Sequence, residues 1–294
     1  MRERVAAQAA DALAWQHLRF ALHQSGSHED AVRAFERAVA LKASVRVQAL
    51  PHVLSLSTLH RHDEAIALLE PLQARKPKDF DLANLLGVMF KRAGRFRLAL
   101  GMFELARKLR PRHVSVWVNM GNTHEVMGNF KAAAEAFGEA VRLEPRNAEF
   151  LRLQGVALFL QGRTETALLV LGRAVCLAPD NPQTFKAHVQ ILMKLSRSSE
   201  AAAAIDRFRT ARPRDPEATI MLARNRYASG LIDEARALLG EVQAVHPGHL
   251  PANLLLAQTC GDGVFADNRR MANDALHRAL ACSRVTGPVN IGSG

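Results

Sequence analysis

Large apolar side chains recur along the chain at Phe35, Leu69, Phe103, Phe137, Leu171, Ile205 and Leu239, one every 34 residues. Alanine precedes each by four positions, at Ala31, Ala65, Ala99, Ala133, Ala167, Ala201 and Ala235. Upstream, Trp15, Ala49, Ala83, Trp117, Leu151 and Phe185 share the same step. Between these runs fall Gly26, Gly94, Gly128, Gly162 and Gly230, with His60 and Ser196 in the two remaining places. Prolines close the units at Pro77, Pro111, Pro145, Pro179, Pro213 and Pro247. A fixed period of this size is the signature of a repeat architecture, in which one unit cannot bury its apolar face alone.

Each unit reads as two helices. The first, as in VSVWVNMGNTHEVMG, has apolar residues at helical spacing and ends at a glycine able to take the left-handed cap conformation. The second, as in FKAAAEAFGEAVRL, is an alanine-rich amphipathic helix of high intrinsic propensity. Proline then closes the unit because it cannot continue a helix. Small residues at Gly87, Gly121 and Gly155, facing the repeated alanine, predict close approach of the two helices.

In the unit at 114–147, Trp117, Met120, Gly121, Gly128, Ala133, Phe137, Ala140 and Pro145 fall on signature positions of the tetratricopeptide repeat, which the chain therefore resembles. His124 stands where that family usually has Tyr. The resemblance implies an all-α, right-handed superhelical solenoid of stacked antiparallel helix pairs. Seven units are expected over 12–249, after a helical lead-in at 1–11. The unit at 46–79 is degenerate: Pro51 lies inside its first helix and His60 replaces the glycine, so that helix is expected to be kinked or shortened. Beyond 249 the phase recovers only with a longer loop near Gly261–Asp267, which would place Ala272, Leu276 and Ala279 on second-helix positions. Residues 250–284 are thus expected to form a divergent eighth unit or capping pair, and 285–294 a flexible tail or linker.

Chemistry is sparse. There is no phosphate-binding glycine loop ending in Lys-Ser or Lys-Thr, no GxSxG and no HExxH, so no enzyme activity and no cofactor are expected. His52, His60 and His62 could offer imidazoles to a metal, with Asp63 and Glu64 the nearby carboxylates, but a solvated helix end is the simpler reading. Cys176, Cys260 and Cys282 have no short spacing and read as small packing residues, not as a disulfide framework. No apolar run reaches the roughly 18 residues of a spanning helix, and the start MRERVAAQAA lacks a leader core. The expectation is a cytoplasmic protein without a membrane span.

By helical spacing and by the resemblance, positions 2, 5, 9 and 12 of each unit face a concave groove. Polar residues there are candidates for holding a partner: Asn84, Lys91, Asn122, Glu125, Arg152, Lys186, Gln190, Arg224 and Tyr227. Asn and Gln can clamp a peptide backbone, Arg can grip a carboxylate at two points, and Tyr offers a flat face with one polar tip. The Lys–Asn, Asn, Lys–Arg set by which some family members hold a C-terminal carboxylate is absent, since Val88, Glu149 and Leu153 occupy matching places. A ladder of Asn at position 6 is absent too, with Asn119 alone there.

Lys plus Arg number 39 against 28 Asp plus Glu, a formal charge of +11. Much of the excess lies in one run: Lys91, Arg92, Arg95, Arg97, Arg107, Lys108, Arg110 and Arg112, against Glu104. Cations at a helix C-terminus offset the dipole there, and aromatics for base stacking are not interleaved. The reading that follows is a non-catalytic scaffold binding an extended, acidic protein segment in the groove, with nucleic acid disfavoured. The alternatives are the repeat portion of a larger sulfo- or glycosyltransferase and a helical-repeat RNA binder. Oligomeric state is not encoded in any motif.

Overall fold

The structure, a computed structural model, describes residues 12–40, 49–213 and 215–261. These form fifteen helices and no strand. The chain divides into two compact units, Met1–Pro145 and Arg146–Gly294. The first holds α1 (Ala12–Gln24), α2 (His28–Ala40), α3 (Ala49–Thr58), α4 (His62–Arg75), α5 (Phe80–Arg92), α6 (Phe96–Leu109), α7 (Val114–Val126) and α8 (Phe130–Leu143). The second holds α9 (Ala148–Leu160), α10 (Thr164–Leu177), α11 (Pro182–Lys194), α12 (Ser198–Ala211), α13 (Pro216–Ala228), α14 (Ile232–Val245) and α15 (Leu250–Gly261). Each unit is an all-α stack of helix pairs of the solenoid kind. The residues expected to complete an eighth pair (Ala272, Leu276, Ala279), the lead-in at 1–11 and the tail lie outside the described residues.

The proline lattice sets where first helices start. Two residues after a lattice proline, Asp79, Asn147, Asn181 and Asp215 each cap the following helix. Asn181 Oδ1 accepts from the N–H groups of Gln183 at 2.9 Å and Thr184 at 3.1 Å. This satisfies two of the four N–H groups that a helix start leaves unpaired.

The ends of first helices follow an equally local rule. Gly94 turns with φ +74°, and the Arg95 N–H returns to the Phe90 carbonyl at 2.8 Å. His60 and Ser196 adopt the same turn with φ of 58° and 56°, and Arg61 and Arg197 make the equivalent bonds to Leu56 and Leu192 at 2.9 Å. The missing glycine therefore does not break the pattern: two ordinary residues take the left-handed turn and its hydrogen bond. α3 runs from Ala49 through Pro51 to Thr58, ten residues against thirteen in α5, α7, α9, α11 and α13.

The core follows the repeated positions. Ala31, Ala65, Ala99, Ala133, Ala167, Ala201 and Ala235 are fully buried, and Phe103, Phe137, Leu171, Ile205 and Leu239 are buried beside them. Close approach is explicit at Gly87, where an added Cβ would fall 2.6 Å from Phe103 Cε1, and at Gly155, where it would fall 2.6 Å from Leu171 Cγ. Second helices thus pack side chains onto bare first-helix backbone. That arrangement leaves the opposite face of the first helices open.

Candidate functional site

In the second compact unit the open faces of α9, α11 and α13 enclose a cleft of roughly 670 Å³. Four residues expected from the spacing meet there: Arg152 on α9, Lys186 and Gln190 on α11, and Arg224 on α13. The same positions also bring apolar side chains into the cleft, Val156 and Phe159 from α9 and Met193 from α11. Leu160, Ile191 and Met221 complete an apolar floor. The sequence reading weighed only polar residues at these positions and passed over the floor, although Phe159 and Met193 hold the same repeat position as Lys91 and Glu125.

The cleft is graded along the helix axes. Its polar end carries Arg152, Gln183 and Lys186 near the helix starts, and its apolar end carries Phe159, Leu160 and Met193 in the last turns. At 1.5 Å per residue the two ends lie about 10 Å apart. Tyr227 does not join this cleft. It is half-buried and packs against the apolar cluster built by α13, α14 and α15.

Charged groups on the rim are all cationic: Arg152, Lys186, Lys194 and Arg224, with no carboxylate in the lining. Two of them are already engaged. Arg152 donates from Nε and Nη2 to Glu149 at 2.8 and 2.6 Å. Lys186 Nζ reaches Glu217 Oε2 at 3.3 Å across the gap between α11 and α13. Lys194 Nζ stands over the Phe159 ring, 5.6 Å from its centre. Arg224 is exposed and has no ion-pair partner among the described residues.

In the first compact unit the expected residues are spread over α5 and α7. Lys91 on α5 donates to Asn119 Oδ1 on α7 at 3.3 Å. Burial pushes the Lys91 ammonium below its usual pKa, and the charge of Arg92 adds to this. Asn84 Oδ1 is a buried acceptor without a hydrogen-bond donor. Asn122 and Glu125 are half-buried on α7.

The basic run does not form one uncompensated field. Arg95 donates to Asp63 at 2.8 Å, Arg107 Nε to Glu104 at 2.8 Å, and Arg92 to the Ser57 hydroxyl. Arg110 lies 3.9 Å from Asp81 and stacks 4.3 Å above Phe80. Arg97, Lys108 and Arg112 remain exposed. Among the described residues no three His, Cys, Asp or Glu side chains converge on a metal-sized space. His60 and His62 meet edge-on at 5.7 Å, whereas His52 is buried and stacks on Phe35 at 3.7 Å. Cys176 is exposed on α10, not packed as its helical position suggested. No helix among the described residues is long and apolar enough to cross a membrane.

Sequence profiles of the tetratricopeptide repeat match residues 50–114, 118–182 and 195–259. No curated protein matches significantly. Among solved structures, the C-terminal part of a TPR repeat-containing protein from Cytophaga hutchinsonii aligns over 79% of this chain and 95% of its own, with 16% identity and a TM-score of 0.64. PilW, a widely conserved type IV pilus biogenesis factor, aligns over 72% of this chain and 96% of its own, with 19% identity and a TM-score of 0.52. Identities this low speak to the fold alone.

Proposed function

Since the chain belongs to the tetratricopeptide repeat family, we propose that it is a non-catalytic protein-interaction scaffold that holds an extended, acidic segment of a partner protein against its first helices. The observation that carries the acidic character is the charge of the cleft between α9, α11 and α13: four cations on its rim and no carboxylate in its lining. Arg224 is the principal contact in this reading, because it needs to break nothing to accept a carboxylate. Arg152 and Lys186 contribute less, since a ligand must compete with Glu149 and Glu217. Exposed pairs of that kind are worth only about 0–1 kcal/mol, so such competition is feasible. Gln190 serves the ligand backbone. In the first compact unit Asn84 and Asn122 would do the same, while Lys91 is committed to Asn119.

The test is selection of disordered peptide segments displayed on phage against the full chain. Enrichment of Asp- and Glu-bearing segments, abolished by Arg224→Glu, is the expected result. Enrichment of basic segments, or enrichment indifferent to Arg224, would contradict the reading.

A further inference from the structure

Building on that reading, we infer that the cleft is a pocket for one large apolar side chain of the bound segment, flanked by carboxylates on Arg224 and Lys194. A purely electrostatic groove would need no apolar floor. Here Phe159, Met193 and Met221 from three successive first helices converge on one cleft, over a base formed by Ile191, which is 4% exposed. Two of the three are methionines, whose unbranched thioether chains adapt to an inserted ring or branched chain. The volume, roughly 670 Å³, admits an aromatic or leucine side chain together with adjoining backbone.

Charge placement fixes what surrounds the anchor. Lys194 covers the edge of the floor through its contact with the Phe159 ring, so its ammonium sits beside any side chain inserted there. Arg224 stands on the facing helix, one turn beyond Met221. Neither is tied to a carboxylate among the described residues. Arg152 and Lys186, at the other end of the cleft, carry their own glutamates. The segment recognised is thus an apolar residue with acidic neighbours, and its charge is read at the apolar end.

Fluorescence polarisation with short labelled peptides tests this. The reference peptide carries two Glu on each side of one Phe; its variants replace Phe by Ala, or each Glu by Lys. The reference should bind saturably, Phe→Ala should weaken it about tenfold through lost apolar burial, and Glu→Lys should abolish it. Arg224→Glu should weaken the reference peptide without loss of helicity, since Arg224 is exposed and holds no hydrogen bond or ion pair among the described residues. Equal binding of the Ala peptide would overturn the anchor pocket and leave the acidic-segment reading standing. Binding of the Lys-flanked peptide as tightly as the reference would overturn both. No saturable binding of any peptide up to about 1 mM would overturn the pocket, while the display selection would still decide the wider reading.

Discussion

Lys186 and Glu217 face each other across α11 and α13 at 3.3 Å, and Glu217 is thereby an internal competitor for whatever Lys186 would grip. Removing the carboxylate while keeping its shape, by Glu217→Gln, frees the ammonium. Affinity for an acidic segment should rise about two- to fivefold, the worth of an exposed pair. Stability should fall slightly, because Glu217 also lies in the first turn of α13, where negative charge is favourable. Titration calorimetry with an acidic peptide checks the first effect and thermal melting the second.

Gly87 beneath Phe103 gives a prediction about the fold. Gly87→Ala forces its Cβ into the ring, at a built distance of 2.6 Å. It should cost about 1–3 kcal/mol by overpacking. Gly101→Ala is the control, since an added Cβ there meets nothing within 4 Å. That change should be neutral or stabilise α6 by about 0.5–1 kcal/mol. Urea unfolding of both variants separates close approach from simple helix propensity.

The two residues held at positive φ make the opposite prediction. His60→Gly and Ser196→Gly should each stabilise the chain by about 1 kcal/mol, by removing the Cβ penalty of the left-handed region. A fall in melting temperature would show that the side chain itself supports the turn.

Acid should weaken the fold. Burial, with Arg207 and Arg197 adding to it, pushes His188 below the usual histidine value of 6.5, and burial lowers His62 and His124 as well. Between 6.5 and the lower folded-state values the unfolded chain binds more protons, so stability is lost as pH falls through that window. Chaotrope unfolding at pH 7.5 and pH 5.5 should show the loss, and His188→Gln should reduce it.

Much of this architecture was legible because each device is local and repeated. Pro179 closes one unit, and Ala133 with Phe137 and Gly121 defines one helix pair without any distant contact. At His60 and Ser196 the residue type does not announce the left-handed turn that both adopt. At the cleft, spacing brought Arg152, Lys186, Gln190 and Arg224 together. It did not reveal that Glu149 and Glu217 would occupy two of those cations, since ion pairing depends on rotamers and on a neighbouring helix. Nor did spacing reveal that Tyr227, on the same repeat position as Phe159 and Met193, packs against the apolar cluster of the last helices and not in the cleft.

The proposed working surface is the cleft, not the basic run. The direct measurement is the affinity of a display-selected acidic peptide for the wild-type chain, Arg224→Glu and Arg97→Glu, each checked for helicity. Both substitutions reverse one exposed charge, so their effects on net charge are equal. If the cleft is the working surface, affinity falls about tenfold or more at Arg224 and is near-unchanged at Arg97. A loss at Arg97 with Arg224 indifferent would contradict it.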